Sequence, residues 1–78
     1  MPHTIELDSD RQRLAARIVS LREKKGWSQR ELAIRLNSPS PSVVGHWEIG
    51  RQMPSLVMAA RMAKAFGITL DELLEGVL

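Results

Sequence analysis

The sequence WSQRELAIRLNSPSPSVVGHWEIG, residues 27–50, places two short helical segments on either side of a proline-rich corner. Ser28 with Glu31 forms a capping box, which predicts a helix from Gln29 to Leu36. The Ser-Pro-Ser-Pro run at 38–41 ends this helix, because proline lacks an N–H and disfavours a helical residue before it. The pattern therefore predicts a short helix, a tight turn and a second short helix.

The second of these helices is predicted to begin with Ser40 as its cap and Pro41 as its first residue, and to end near Ile49. Proline at the first position costs little, because its missing N–H would have no partner there. Asn37 suits the sharp exit from the preceding helix, because asparagine enters the left-handed backbone region at low cost.

Helix 1 is predicted upstream of this pair. Ser9 with Gln12 forms a possible capping box, and the helix then runs to about Lys25. Residues 1–8 show no sustained period and are predicted to be a flexible N-terminal arm, which leaves residues 9–78 as one helix-turn-helix domain. A chain of 78 residues is long enough for one modest core.

Two more helices are predicted downstream. Pro54 and Ser55 predict the start of helix 4, and Thr69 with Glu72 forms a third capping box that begins helix 5. There is no alternating strand pattern, so the predicted fold class is all-α, with five helices. The predicted core positions are, in chain order, Leu14, Ile18, Leu21, Leu32, Ala33, Leu36, Val44, Trp47, Leu56, Ala59, Ala63, Phe66, Leu70, Leu73 and Leu74.

Composition excludes several classes of protein. With no cysteine, the chain has neither disulfides nor a thiolate zinc site. Neither histidine has a partner at metal-ligand spacing, so no metal or cofactor is expected. No apolar run is long enough to cross a bilayer and no signal peptide is evident, so a cytoplasmic protein without a membrane partner is expected.

Charge is segregated along the chain. Residues 11–51 hold nine Lys and Arg against three acids, although the net charge of the whole chain is only +2. A basic middle favours a polyanionic partner, and solvated helix faces are the equal alternative.

Three segments, WSQRELAIRL, SVVGHWEIGRQMPSL and MAKAFGITLDELL, resemble the Cro and phage-repressor (xenobiotic-response-element type) family of helix-turn-helix regulators. The resemblance covers about Leu14 to Glu75. It implies a compact, lambda-repressor-like DNA-binding domain with its helix-turn-helix at helices 2 and 3. Helix 3 would enter the major groove of double-stranded DNA.

The resemblance also implies which side chains face the bases. These are Pro41, Ser42, Val43 and His46 on helix 3. Ser42 and His46 lie one turn apart, so both point the same way and could bond a purine edge. Val43 could touch a thymine methyl group.

Phosphate contacts are implied at the edges of the same motif. Gln29, Ser40 and Arg51 are the first candidates. The amide of Gln29 and the N-terminus of its helix could both donate to a phosphate oxygen. Arg35 and Arg30 are further candidates, for which a merely solvated charge is the alternative.

The family also pairs an arginine late in helix 1 with the glutamate that follows the helix 3 tryptophan. The corresponding residues here are Arg22 and Glu48. The resemblance thus implies a structural ion pair that fixes helix 3 to the scaffold.

A module of this size reads one half-site, which favours a homodimer on an inverted-repeat operator. The possible dimer contacts are Val57, Met58, Val77 and Leu78. The leading hypothesis is a transcriptional regulator, specifically a repressor, and an antitoxin with a separate toxin partner is a variant of it. The alternative is a protein-binding adaptor that retains the fold. An enzyme is the least favoured, because the acids have capping or ion-pair roles.

Overall fold

The structure is a computed structural model that describes the backbone of residues 2–38 and 40–78, and the side chains from Asp10 onward within them. These residues form five helices and no strand: α1 (Pro2–Lys25), α2 (Gln29–Arg35), α3 (Ser42–Glu48), α4 (Leu56–Phe66) and α5 (Leu70–Leu73). The predicted all-α class and number of helices are confirmed. None of the described helices is long and apolar enough to cross a membrane.

Side-chain caps begin three of these helices where the sequence predicts them. Ser28 Oγ accepts the Glu31 N–H of α2 at 3.0 Å, and Glu31 returns the bond to the Ser28 N–H at 3.1 Å. Thr69 and Glu72 form the same box at the start of α5, at 3.1 and 3.0 Å. Ser55 Oγ accepts from the Met58 N–H of α4. Each cap satisfies donors that a helix start leaves unpaired.

The predicted corners are also confirmed. Gly26 ends α1 with a φ of 72°, a left-handed conformation that glycine adopts without strain. Asn37 has a φ of 53° and is the one described non-glycine residue with positive φ. It turns the chain sharply out of α2, as its short polar side chain allows.

Two predicted helix starts are wrong. α1 begins at Pro2, so Ser9 lies inside the helix and is no cap. No glycine or further proline interrupts the chain between these residues, and proline suits a first helical position. The predicted flexibility of residues 1–8 stays a prediction, because Met1 and the side chains up to Ser9 lie outside the described residues.

α3 begins one residue later than predicted, at Ser42, and Pro41 precedes it in helical backbone geometry with no side-chain cap. The Ser40 hydroxyl lies 2.8 Å from that of Ser42 instead of capping a backbone N–H. Ser40 as a helix cap is therefore wrong, because the two hydroxyls satisfy each other.

One apolar cluster joins all five helices, and it includes almost every predicted core residue. The exception is Leu56, whose side chain is 75% exposed, while Met62 is fully buried. The inward stripe of α4 begins a turn later than predicted, at the half-buried Ala59. The buried apolar side chains of the described residues are Leu14, Ala15, Ile18, Leu21, Leu32, Ala33, Leu36, Val44, Trp47, Met62, Ala63, Phe66, Leu73 and Val77.

Two arginines of α1 bind the C-terminal end of the fold. Arg17 donates to the carbonyl of Glu72 at 2.7 Å and to that of Leu73 at 3.4 Å, and Arg13 donates to the carbonyl of Val77 at 2.8 Å. These bonds add side-chain donors to carbonyls at the end of α5 and in the chain that follows it. The end of the chain is thereby held against α1.

Candidate nucleic-acid interface

α3 has a buried side and an accessible side. Val44 and Trp47 are buried and fix the helix to the core, as predicted. Pro41 and Ser42 are exposed at its N-terminal end, and His46 is half-buried one turn later. The structure thus leaves Pro41 and Ser42 reachable at the start of α3 and His46 partly reachable in its last turn.

Val43, the fourth predicted base contact, is also half-buried but packs against the core. It lines a small cavity of about 280 Å³ with Trp47 and Met53, between α3 and the start of α4. Much of its surface is therefore committed to packing, which leaves less of it for a thymine methyl group.

Arg22 and Glu48 form the ion pair that the resemblance implies. Arg22 Nε donates to Glu48 Oε2 at 2.6 Å and Nη2 donates to Oε1 at 3.1 Å, a two-bond contact. The side chains are only 15% and 5% exposed. The hydrogen bond to Glu48 raises the pKa of the Arg22 guanidinium, against the opposing effect of burial. The pair is structural, since both groups are turned away from solvent.

Arg22 extends this contact to the chain between α1 and α2. Its Nη1 donates to the carbonyl of Trp27 at 2.7 Å. One guanidinium therefore connects α1, the turn before α2 and the last residue of α3. This fixes the angle at which α3 is presented, because a planar guanidinium donates in fixed directions.

Gln29 makes a contact that the sequence did not indicate. Its Nε2 donates to Glu48 Oε1 at 2.9 Å, although the residue is exposed. Its Oε1 lies 3.6 Å from the position that a Cβ on Gly45 would occupy. The amide thus lies across the middle of α3. Capping boxes and helical periodicity describe neighbours in the chain, so they could not indicate this contact between two helices.

The three cationic candidates, Arg51, Arg30 and Arg35, are all exposed. Arg35 differs from the other two because it also has a contact within the fold. The guanidinium of Arg35 lies 4.1 Å from the centre of the Trp27 ring, which itself stacks on Phe66 at 5.8 Å. Arg35 therefore has a structural contact that competes with phosphate binding, and the sequence alone did not reveal it.

Apolar side chains cluster just after α3. Ile49, Met53, Leu56 and Val57 are all exposed within nine residues of chain. Sequence reasoning identified only Val57 as a surface contact. Ile49 lies at the predicted end of helix 3 and Met53 lies in the loop after it. Neither residue belongs to the predicted buried face of a helix, and this position was the feature of the sequence that could have indicated their exposure.

The other predicted dimer contacts differ in burial. Leu78 is 90% exposed, Met58 is half-buried against the core, and Val77 is only 2% exposed. Val77 as a dimer contact is wrong, because its side chain is buried in the apolar core. Among the described residues, no three His, Cys, Asp or Glu side chains cluster as metal ligands would.

Comparison with known proteins gives relatives of two kinds. Multiprotein-bridging factor 1 of Schizosaccharomyces pombe is 41% identical over 49 residues, which are 63% of this chain and 32% of that protein. The chain spans about a third of the length of the curated relatives it matches.

Two solved structures share the fold. The hypothetical transcription factor NHTF from Neisseria is 34% identical with a TM-score of 0.75, over 82% of this chain and 72% of that chain. The clp gene regulator ClgR from Corynebacterium glutamicum is 31% identical with a TM-score of 0.79, over 87% and 71%.

A family model described as helix-turn-helix matches residues 18–73, a stretch that takes in the whole of α2, α3, α4 and α5. A match of this extent makes the chain a member of the helix-turn-helix family of the Cro and phage-repressor type.

Proposed function

We propose that this chain is a DNA-binding transcriptional regulator that inserts α3 into the major groove of double-stranded DNA. The observation that carries the proposal is the division of α3, whose buried Val44 and Trp47 fix it while Pro41, Ser42 and His46 stay reachable. Membership of the family and the two regulator structures support DNA binding. A helix held in this way can present its exposed side to base edges.

Regulation would be repression by occupancy of promoter DNA, by a homodimer on an inverted repeat. Ser42 and His46 supply hydrogen-bonding groups for bases, and Gln29, Ser40, Arg51 and Arg30 supply donors for phosphates. With few two-bond donors on α3, specificity would rest in good part on phosphate positioning and DNA shape. Exposed Val57 and Leu78 are the remaining candidates for dimer contacts, with the half-buried Met58 beside them.

Selection from random duplex DNA tests the site and its symmetry together. Recovery of an inverted repeat with half-sites about one helical turn apart would support the dimer. Recovery of unrelated sequences, bound no better than the starting pool, would contradict sequence-specific binding.

Salt dependence tests the phosphate contacts. We expect log affinity to fall with log salt at a slope of about −0.9 per phosphate neutralised. Arg51→Ala should weaken binding to all sequences alike and reduce the slope by about one unit. Lys24→Ala also removes one positive charge, from an exposed position on α1, and serves as the matched control. Equal slopes for Arg51→Ala and the unchanged protein would remove Arg51 from the interface.

A second candidate function is a protein-binding adaptor. It is favoured by the exposed apolar side chains Ile49, Met53, Leu56 and Val57, and by the name of the bridging-factor relatives. An adaptor would bind DNA weakly and without sequence preference. The same selection therefore separates the two functions, because only a regulator would enrich one sequence.

A further inference from the structure

We propose that Glu48 is a positioning residue for Gln29, and that it holds the Gln29 amide where α2 meets a DNA phosphate. The inference rests on the proposed function and deepens it. In this role Glu48 serves two partners at once: it neutralises Arg22 on the scaffold side and orients Gln29 on the side of the interface.

The geometry sets the Gln29 amide in one orientation. Glu48 Oε1 accepts from Gln29 Nε2 at 2.9 Å and from Arg22 Nη2 at 3.1 Å. An ionised carboxylate is an acceptor only, so it selects the NH₂ end of the amide and directs the carbonyl end elsewhere. That carbonyl oxygen lies over α3, 3.6 Å from the position that a Cβ on Gly45 would occupy, so the absence of a side chain at Gly45 leaves room for it. The amide of this surface side chain is thus held at its NH₂ end by Glu48.

The amide keeps binding capacity in this orientation. An NH₂ group has two N–H donors, and Glu48 takes one of them. The second can donate to a phosphate oxygen. Since the amide is already ordered before DNA arrives, less side-chain freedom is lost on binding.

Glu48 is itself held firmly enough for this role. Its side chain is 5% exposed, and its other oxygen accepts from Arg22 Nε at 2.6 Å. The position of the acceptor is therefore set by α1, and the orientation of Gln29 follows from it. The hydrogen bond links the start of α2 directly to the end of α3.

The first measurement needs no DNA. In the ¹⁵N-labelled full chain, the side-chain NH₂ signals of Gln29 are assigned by their loss in Gln29→Met. We expect them to be separated from those of the exposed Gln52 and to exchange with solvent more slowly. Signals that coincide with those of Gln52 would overturn the proposal, whether or not the chain binds DNA.

The second measurement compares two backgrounds, the unchanged protein and a double variant. The double variant combines Arg22→Met with Glu48→Met and so replaces the ion pair by apolar side chains, which leaves no buried charge unpaired and is often tolerated. A thermal melt establishes that this variant is folded. The double variant removes one positive and one negative charge, so the net charge of the chain is the same in both backgrounds.

Affinity for a duplex carrying the selected site gives the result. In the unchanged protein, Gln29→Met should lower the affinity about tenfold, the usual effect of losing one bond to a charged group. In the double variant the same change should cost less than about twofold. Neither background should show a change in salt slope from Gln29→Met, because a neutral donor releases no counterion.

The outcomes separate the two proposals. An equal loss of affinity in both backgrounds overturns positioning by Glu48 while leaving DNA binding intact. Absence of sequence-specific binding by the unchanged protein overturns the proposed function, and with it the ligand of Gln29, even where the amide signals show that the contact to Glu48 exists.

Discussion

The carboxylate of Glu48 accepts hydrogen bonds from two side chains, because Arg22 donates to both of its oxygens and Gln29 donates to one. The pair with Arg22 need not add net stability, since removing two charges from water is costly. Removing only one of the two residues is expected to lower stability, because it leaves the other charge largely shielded from water and without its counter-ion.

We therefore expect Glu48→Ala to lower the free energy of unfolding by about 3–5 kcal/mol. Urea unfolding followed by circular dichroism measures this change. Glu75→Ala, at an exposed position on the tail, is the matched control and should fall within about 0.5 kcal/mol of the unchanged protein. An unfolding midpoint for Glu48→Ala equal to that of the control would contradict a structural role for the pair.

At the scale of the element, Gly45 interrupts an otherwise ordinary α3. Glycine within a helix costs about 0.5–1 kcal/mol relative to alanine. A Cβ at this position would meet Gln29 Oε1 at 3.6 Å, which is an ordinary contact distance. We expect Gly45→Ala to raise the free energy of unfolding by about 0.5–1 kcal/mol in urea titrations. A destabilised variant would show that the Gln29 amide cannot accept the added methyl group.

The contribution of the α5 capping box to the stability of the fold should depend on pH and be lost in acid. The backbone N–H of Thr69 lowers the pKa of the Glu72 carboxyl, with a further contribution from the Thr69 hydroxyl. A group with a lowered pKa in the folded state stabilises the fold above its unfolded pKa, about 4.3, and loses that contribution as pH falls through the folded value. We expect Glu72→Gln to flatten the decline of stability below about pH 4.

The check on this expectation is a set of thermal melts between neutral and acidic pH. Glu75→Gln is the matched control, because it removes an exposed carboxyl on the same tail that makes no capping contact in the described structure. The same acid response in both variants would mean that the capping contact of Glu72 is not what the acid removes.

Sequence reasoning succeeds where a structure is set by neighbouring residues. The box at Ser28 and Glu31 and the left-handed turn at Asn37 depend on chemistry within a few positions. It failed at Ser40, whose hydroxyl bonds to that of Ser42 instead of capping α3. It also missed the stacking of Arg35 on Trp27, because residues eight apart in the chain meet there only once the turn before α2 has formed.

In the candidate site, too, some contacts could be predicted before the structure was known and others could not. The partnership of Arg22 with Glu48 was implied by resemblance to relatives, because residues 26 positions apart carry no local signal for it. The bond from Gln29 to Glu48 was not foreseen at all, since it depends on how α2 and α3 cross. The exposure of Leu56 was missed because periodicity shows which face of α4 is buried, but not at which turn of the helix the buried face begins.

For the molecule as a whole, stability depends on closing the C-terminal end against α1. Val77 is 2% exposed and Leu78 is 90% exposed, so adjacent apolar residues have opposite roles. We expect Val77→Ala to cost about 2 kcal/mol of unfolding free energy. Leu78→Ala, the matched control, should leave stability unchanged.

The same pair of variants tests association. Sedimentation equilibrium of Leu78→Ala measures whether this side chain takes part in a dimer. A weaker dimer with unchanged stability of the fold would support Leu78 as a contact. Equal losses of stability for Val77→Ala and Leu78→Ala would contradict the burial that separates the two residues.

α3 is only seven residues long. An isolated peptide of that length does not hold a helical shape in water, because nucleation costs more than two turns can recover. A synthetic copy of residues 40–51 should therefore be a random coil by circular dichroism and a poor ligand for any duplex. Transplanting the reading specificity into another protein would require the scaffold around it as well, and heating should abolish recognition at the temperature at which the domain melts.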